Sequence, residues 1–146
     1  MYYVNREQIE RRLHMLPEIV QVLKSSDTLQ IQDSNLLERY ALERALHLAL
    51  EIVTDVGSYL IDGFIMRDAS SYEDIIDIML DEKVVGSELH ASLIELVRLR
   101  KPLVQEYYDV DRVVASELLN RLKKEEALPA FAEHVRAYLD QEGIEN

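Results

Sequence analysis

Three cations sit almost together at Arg98, Arg100 and Lys101, with Gln105 and Tyr107 just downstream. Cationic side chains this close can hold a phosphate, and a guanidinium can stabilise charge growing on one during displacement. Stepping about 100° per residue around a helix, Leu93, Leu96, Val104 and Tyr107 fall within about 40° of Arg100. Arg100 therefore stands in the middle of an apolar stripe, where an unpartnered guanidinium is costly. Two arrangements satisfy it: an ion pair with an acid such as Glu51 or Asp55, or an anion such as phosphate met at an interface. On a straight helix Gln105 lies about 140° from Arg100. There it joins Arg98 and Lys101 in a trio that can hold a phosphate without cutting it. It converges on Arg100 only if Pro102 bends the chain or a second subunit supplies one of the two.

Other chemistries find no support. The chain has no cysteine, which excludes disulfides, thiolate metal sites and a cysteine nucleophile. His14, His47, His90 and His134 are scattered, and each reads as structural or exposed. A helical di-metal site needs Glu-x-x-His pairs. The nearest spacings are Glu43 to His47, four apart, and Glu88 to His90, two apart. There is no glycine-rich phosphate loop and no His-Glu-x-x-His motif, so no metal and no cofactor is expected.

Sixteen Lys and Arg against 28 Asp and Glu give a net charge of -12 across 146 residues. That excludes a basic footprint spread over the whole surface, and any nucleic-acid contact must use a local patch. Residues 68–97 carry eight acids and the single base Lys83, which reads as a solvated face. No apolar run approaches a membrane span, and the start Met1 to Glu7 lacks a secretory apolar core. A soluble, cytoplasmic protein is expected.

The elements that must place these residues read as helices. Asn5 and Gln8 resemble a capping box, followed by apolar positions from Ile9 to Leu23 at helical spacing, with a kink or break at Pro17. Ser25 to Asn35 reads as a loop. From about Ser34 to Ile61, Leu37, Ala41, Ala45, Leu48, Ile52, Val56 and Leu60 form an unbroken stripe about 40 Å long, closed by Asp62 and Gly63. Gly57 beside it can admit a close neighbour. Ser71 opens a short helix to about Lys83. Ser87 caps a fourth that runs towards Tyr107 and is disturbed at Pro102. Asp111 opens a fifth through Val114, Leu118 and Leu122, broken near Leu128 by Pro129. A last piece reaches about Tyr138. Five or six helices with short connections and no repeat make 1–146 one all-α bundle.

The run from Arg100 to Tyr107 resembles the HEPN family of small helical proteins. In its HepT branch, the toxin half of the MNT–HEPN toxin–antitoxin pairs, the pattern is Arg, four residues, His, one residue, Tyr. Arg100 and Tyr107 match, and Gln105 stands where the His would be. The segment Leu42 to Glu51, with Asp55 a turn later, looks like the family's long second helix. Ser71 to Val85 resembles the short helix and turn before the motif. Ile61 to Asp68 looks like a hallmark of a Gram-positive subgroup that also lacks the His. The likeness covers about 5–140.

The resemblance implies a HEPN-like homodimer whose two motif helices form one metal-independent endoribonuclease cleft. Its RNA would be tRNA or mRNA, and its partner an MNT-type nucleotidyltransferase antitoxin that adds AMP to Tyr107. Arg100, Gln105 and Tyr107 would be the catalytic set, with Arg98 and Lys101 drawing in the phosphate. Gln105 cannot exchange a proton near pH 7. Two further readings therefore stand beside the first. One is a catalytically inactive dimer that binds the antitoxin, RNA or a nucleotide. The other is a structural helical dimer whose Arg100 pairs with an acid.

Overall fold

Asn5 accepts the Gln8 N–H at 3.2 Å and opens α1, Arg6–Leu13. The computed structural model describes residues 2–25 and 30–145. The chain breaks at His14 and Met15 and restarts as α2, Leu16–Ser25, with Pro17 in its first turn, where a missing N–H leaves no bond unmade. Residues 26–29 of the expected loop lie outside the described residues. Beyond them Ile31–Asp33 makes a 3-10 turn whose buried Ile31 donates its N–H to Ser116 Oγ at 2.7 Å.

The spine is α3, Leu36–Gly63, capped by Asn35 on the Glu38 N–H at 2.8 Å. Its face from Leu42 through Leu46, Leu50, Val53, Val56 and Leu60 is buried. The stripe is not buried throughout, however. Leu37 is 84% exposed, and Leu36 and Tyr40 are exposed with it. The first turns of α3 project past the core, so the described residues leave the apolar pattern there uncovered.

Ile61 to Asp68 ends this helix. Met66 donates its N–H to the Ile61 carbonyl at 2.9 Å, and Ile65 turns left-handed at φ 56°. Arg67 then grips Asp74 with both terminal nitrogens, at 2.7 and 2.8 Å. That bond holds the Asp74 carboxyl well below the usual carboxylate range. Ser71 caps α4, Tyr72–Asp81, by accepting the Asp74 N–H at 3.0 Å. The α4 helix packs on α3 at Gly57, where an added Cβ would stand 2.3 Å from Ile75 Cγ2.

The next helix is α5, Ser87–Arg98. Its capping position is Gly86, not Ser87, and no side chain caps it. It packs against α3, α4, α6 and α7. Asp111 opens α6, Arg112–Lys124, by accepting the Val113 and Val114 N–H groups. Val114 proves half exposed, so the buried face of α6 begins at Ala115. Pro129 does not break the chain. The break comes at Glu126, left-handed at φ 49°, and Pro129 rides in the first turn of α7, Ala127–Gln141. The described residues thus form an all-helical bundle whose first two helices are halves of one proline-broken segment.

The acids of 68–97 are more than a solvated face. Glu73 binds Arg98, Asp74 and Asp81 bind Arg67, Asp77 binds His90, and Glu95 binds Arg121.

Candidate phosphate and proton-transfer site

Pro102 has no N–H to offer the Arg98 carbonyl, and α5 cannot continue as an α-helix. Lys101–Gln105 winds instead as a π turn, closed by the Glu106 N–H on the Lys101 carbonyl at 2.8 Å. A bond five residues back spreads one turn over more residues than an α-helix uses. Five residues past Arg100, Gln105 therefore comes back towards the same side instead of overshooting it. Arg98, Arg100, Lys101 and Gln105 line one groove of about 360 Å³ with Tyr72 and Glu73. Convergence thus occurs within one chain.

Arg100 is tied to its own subunit. Its NH1 donates to the Glu51 carboxylate, and its guanidinium lies over the Tyr72 ring, 4.0 Å from the centroid. The ion pair expected from the apolar stripe is therefore present, with Glu51 as the acid. Asp55 is engaged elsewhere, by Arg12 Nε at 3.1 Å. The pair does not use up Arg100. Nε is buried without a partner, and among the described residues Nη1 is the nitrogen that donates to a protein acceptor. Arg98 donates to Glu73 at 2.7 Å, and Lys101 stands 3.8 Å from Glu106. Both are exposed, so these contacts yield readily to an anion.

Tyr107 is not on the face of Arg100. The π turn and the end of helix at Glu106 carry it away, and it is 71% exposed beside Tyr108. It lines a second groove of about 350 Å³ with Arg39, Tyr40, Arg44, His47 and Arg112. Leu103 lines that groove too, so the π turn is the wall between the two.

One histidine reaches this wall. His47 Nε2 stands 3.7 Å from Glu51 Oε1, the oxygen that also receives Arg100. Arg44 NH1 meets its Nδ1 at 3.2 Å. Burial, joined by the charges of Arg44 and Arg100 and opposed by Glu51, holds His47 below the ordinary imidazole value of 6.5. Sequence reading set His47 aside with the other histidines. The available signal was its four-residue spacing to Glu51, the acid already named for Arg100. His14, by contrast, is bound to the Glu10 carbonyl, His90 to Asp77, and His134 is exposed. Among the described residues no group of three or more His, Asp or Glu side chains could hold a metal ion. No described helix is long and apolar enough to cross a membrane.

The family model "Ribonuclease HepT-like" matches residues 9–136. The Bacillus subtilis (strain 168) protein "Putative RNase YutE" is 39% identical over 143 residues, covering 97% of this chain and 94% of that one. A solved structure of Bacillus subtilis YutE, described as a cytosolic protein of unknown function, superposes with a TM-score of 0.85 at 38% identity, covering 97% and 95% of the two chains. A tri-AMPylated Shewanella oneidensis HEPN toxin, solved in complex with an MNT antitoxin, superposes at 0.76 with 14% identity, over 88% of this chain and 96% of that one. That second likeness concerns the fold.

Proposed function

This chain belongs to the HepT-like ribonuclease family, and from that premise we propose that it is the toxin component of a toxin–antitoxin pair, a metal-independent endoribonuclease acting in the cytoplasm as a homodimer. The observation that carries the reading is the π turn, which returns Gln105 to the groove of Arg100. Arg100, whose side chain stays 21% exposed beside Glu51, holds the scissile phosphate. Gln105 donates an amide hydrogen bond that orients it. Arg98 and Lys101 supply local attraction on an acidic molecule. The two grooves of a dimer, facing one another, form the cleft for RNA, whether tRNA or mRNA.

The partner on this reading is an MNT-type nucleotidyltransferase antitoxin. Tyr107 is its acceptor, and the exposure of the phenol supports that role. An AMP on Tyr107 adds bulk and negative charge to the second groove and repels RNA.

The test is cleavage of RNA by the purified protein in EDTA. Wild type cuts, and Arg100→Ala loses at least about 10²-fold in rate, the scale of one removed oxyanion-type donor. A second reading, a catalytically inactive dimer, is favoured by Gln105 at the motif's His position. It prevails if wild type is inert and Gln105→His creates activity.

A further inference from the structure

A ribonuclease that uses a 2′-hydroxyl as nucleophile needs a group to take that proton, and Gln105 cannot do so. We propose that His47 on α3, anchored on the carboxylate it shares with Arg100, is the proton-transfer residue of this site. The inference rests on the ribonuclease reading above and adds to it a residue outside the Arg100–Tyr107 run.

The geometry is that of an oriented imidazole. Arginine only donates, so Arg44 on Nδ1 places the ring's own proton on Nε2, facing Glu51. The Glu51 carboxylate, 3.7 Å from Nε2, favours that tautomer by charge and leaves Nδ1 as the base. Among the described residues the hydrogen-bond partner of that nitrogen is Arg44, which is exposed and can move to a phosphate. Glu51 also fixes Arg100, so phosphate-binding cation and base are held by one acid on adjacent sides of the π turn.

The surroundings suit single-stranded RNA. Tyr40 and Tyr107 are exposed ring faces beside Arg39, Arg44 and Arg112. Aromatic faces interleaved with guanidinium groups take successive bases and phosphates. The charged groups facing His47 are Arg39, Glu43, Arg44 and Glu51 from its own helix, Arg100 just beyond α5, and Arg112 from α6, which is paired with Glu43 at 3.1 Å. Burial, with the Arg44 and Arg100 charges and against Glu51, lowers the His47 pKa and favours the neutral form a base requires.

In the step, the RNA backbone lies across the edge of the π turn, so that the phosphate faces Arg100 and its neighbouring 2′-hydroxyl faces His47. His47 takes the 2′-hydroxyl proton and the 2′ oxygen bonds to phosphorus. The bond from phosphorus to the 5′ oxygen breaks, and that oxygen leaves with a proton from water, which His47 then restores. The products are a 2′,3′-cyclic phosphate and a 5′-hydroxyl, and no other reactant is consumed.

Cleavage of a single-stranded oligoribonucleotide in EDTA, followed from pH 5 to 9, tests this. His47→Asn should lower kcat by about 10²–10⁴ and abolish the acid limb of the profile, with RNA binding by fluorescence anisotropy unchanged. On the unmutated protein, a 2′-O-methyl oligoribonucleotide should bind and shift the His47 imidazole NMR signals, a readout that no folding defect can mimic. A His47→Asn protein that cuts at the wild-type rate with the same acid limb, or a His47 unmoved by bound RNA, overturns the inference and leaves the ribonuclease reading standing. An inert wild type overturns both.

Discussion

Glu51 Oε1 receives a guanidinium and faces an imidazole, and this arrangement makes a direct prediction about charge. The Arg100 charge pushes the His47 pKa down, and the Glu51 charge pulls it up. Arg100→Ala should therefore raise the His47 pKa, and Glu51→Gln should lower it, by NMR titration of the ring. Shifts of the same sign in both variants would contradict the arrangement. Glu51→Gln also strands Arg100, whose side chain is 21% exposed. Between the values for surface and buried pairs, the loss should be about 1–3 kcal/mol in chemical denaturation. The sequence made Arg100 conspicuous, because a cation in an apolar stripe demands a partner, and it offered Glu51 as one. It did not single out His47, because the meeting of Arg100 with Glu51, 49 positions away, depends on how the chain after α5 packs against α3.

At the scale of elements the π turn decides which residues meet. Periodicity carries helix existence well, and Pro17 and Asn35 mark real boundaries. A constant 100° step puts Tyr107 on the face of Arg100, and Gln105 off it unless Pro102 bends the chain. The change of winding at Pro102 meets that condition for Gln105 and carries Tyr107 away. Pro102→Ala restores a donor to the Arg98 carbonyl and lets α5 continue, turning Gln105 out of the groove. The expected outcome is a melting temperature equal to or above wild type with cleavage reduced about 10²-fold, the scale of a misplaced catalytic group. Unchanged cleavage would deny the turn its role. Gly57 is a simpler case, since its place beside the stripe was readable. Ile75 is stiff at χ1, so Gly57→Ala should cost about 1–3 kcal/mol by overpacking. The exposed Leu37 and Val114 were unreadable because a pattern shows an apolar face and not what covers it.

The whole molecule carries net charge -12, yet its two grooves are lined by arginine, lysine and tyrosine. RNA binding should therefore be local and should weaken with salt. About three engaged phosphates give a slope of about −2 in log affinity against log salt. Salt-independent binding would remove RNA as the ligand. Leu36 and Leu37 lie one turn before Tyr40, Val113 and Val114 follow Arg112, and all four side chains are exposed. In the proposed homodimer a second copy covers them, and Leu37→Glu should then yield monomers in sedimentation.

The most direct test is end-group analysis of RNA cut by the purified protein in EDTA. The account predicts 2′,3′-cyclic phosphate and 5′-hydroxyl ends, lost in Arg100→Ala. Cleavage that appears only with added divalent cation and leaves 3′-hydroxyl ends, or an Arg100→Ala protein that cuts as well as wild type, would contradict it.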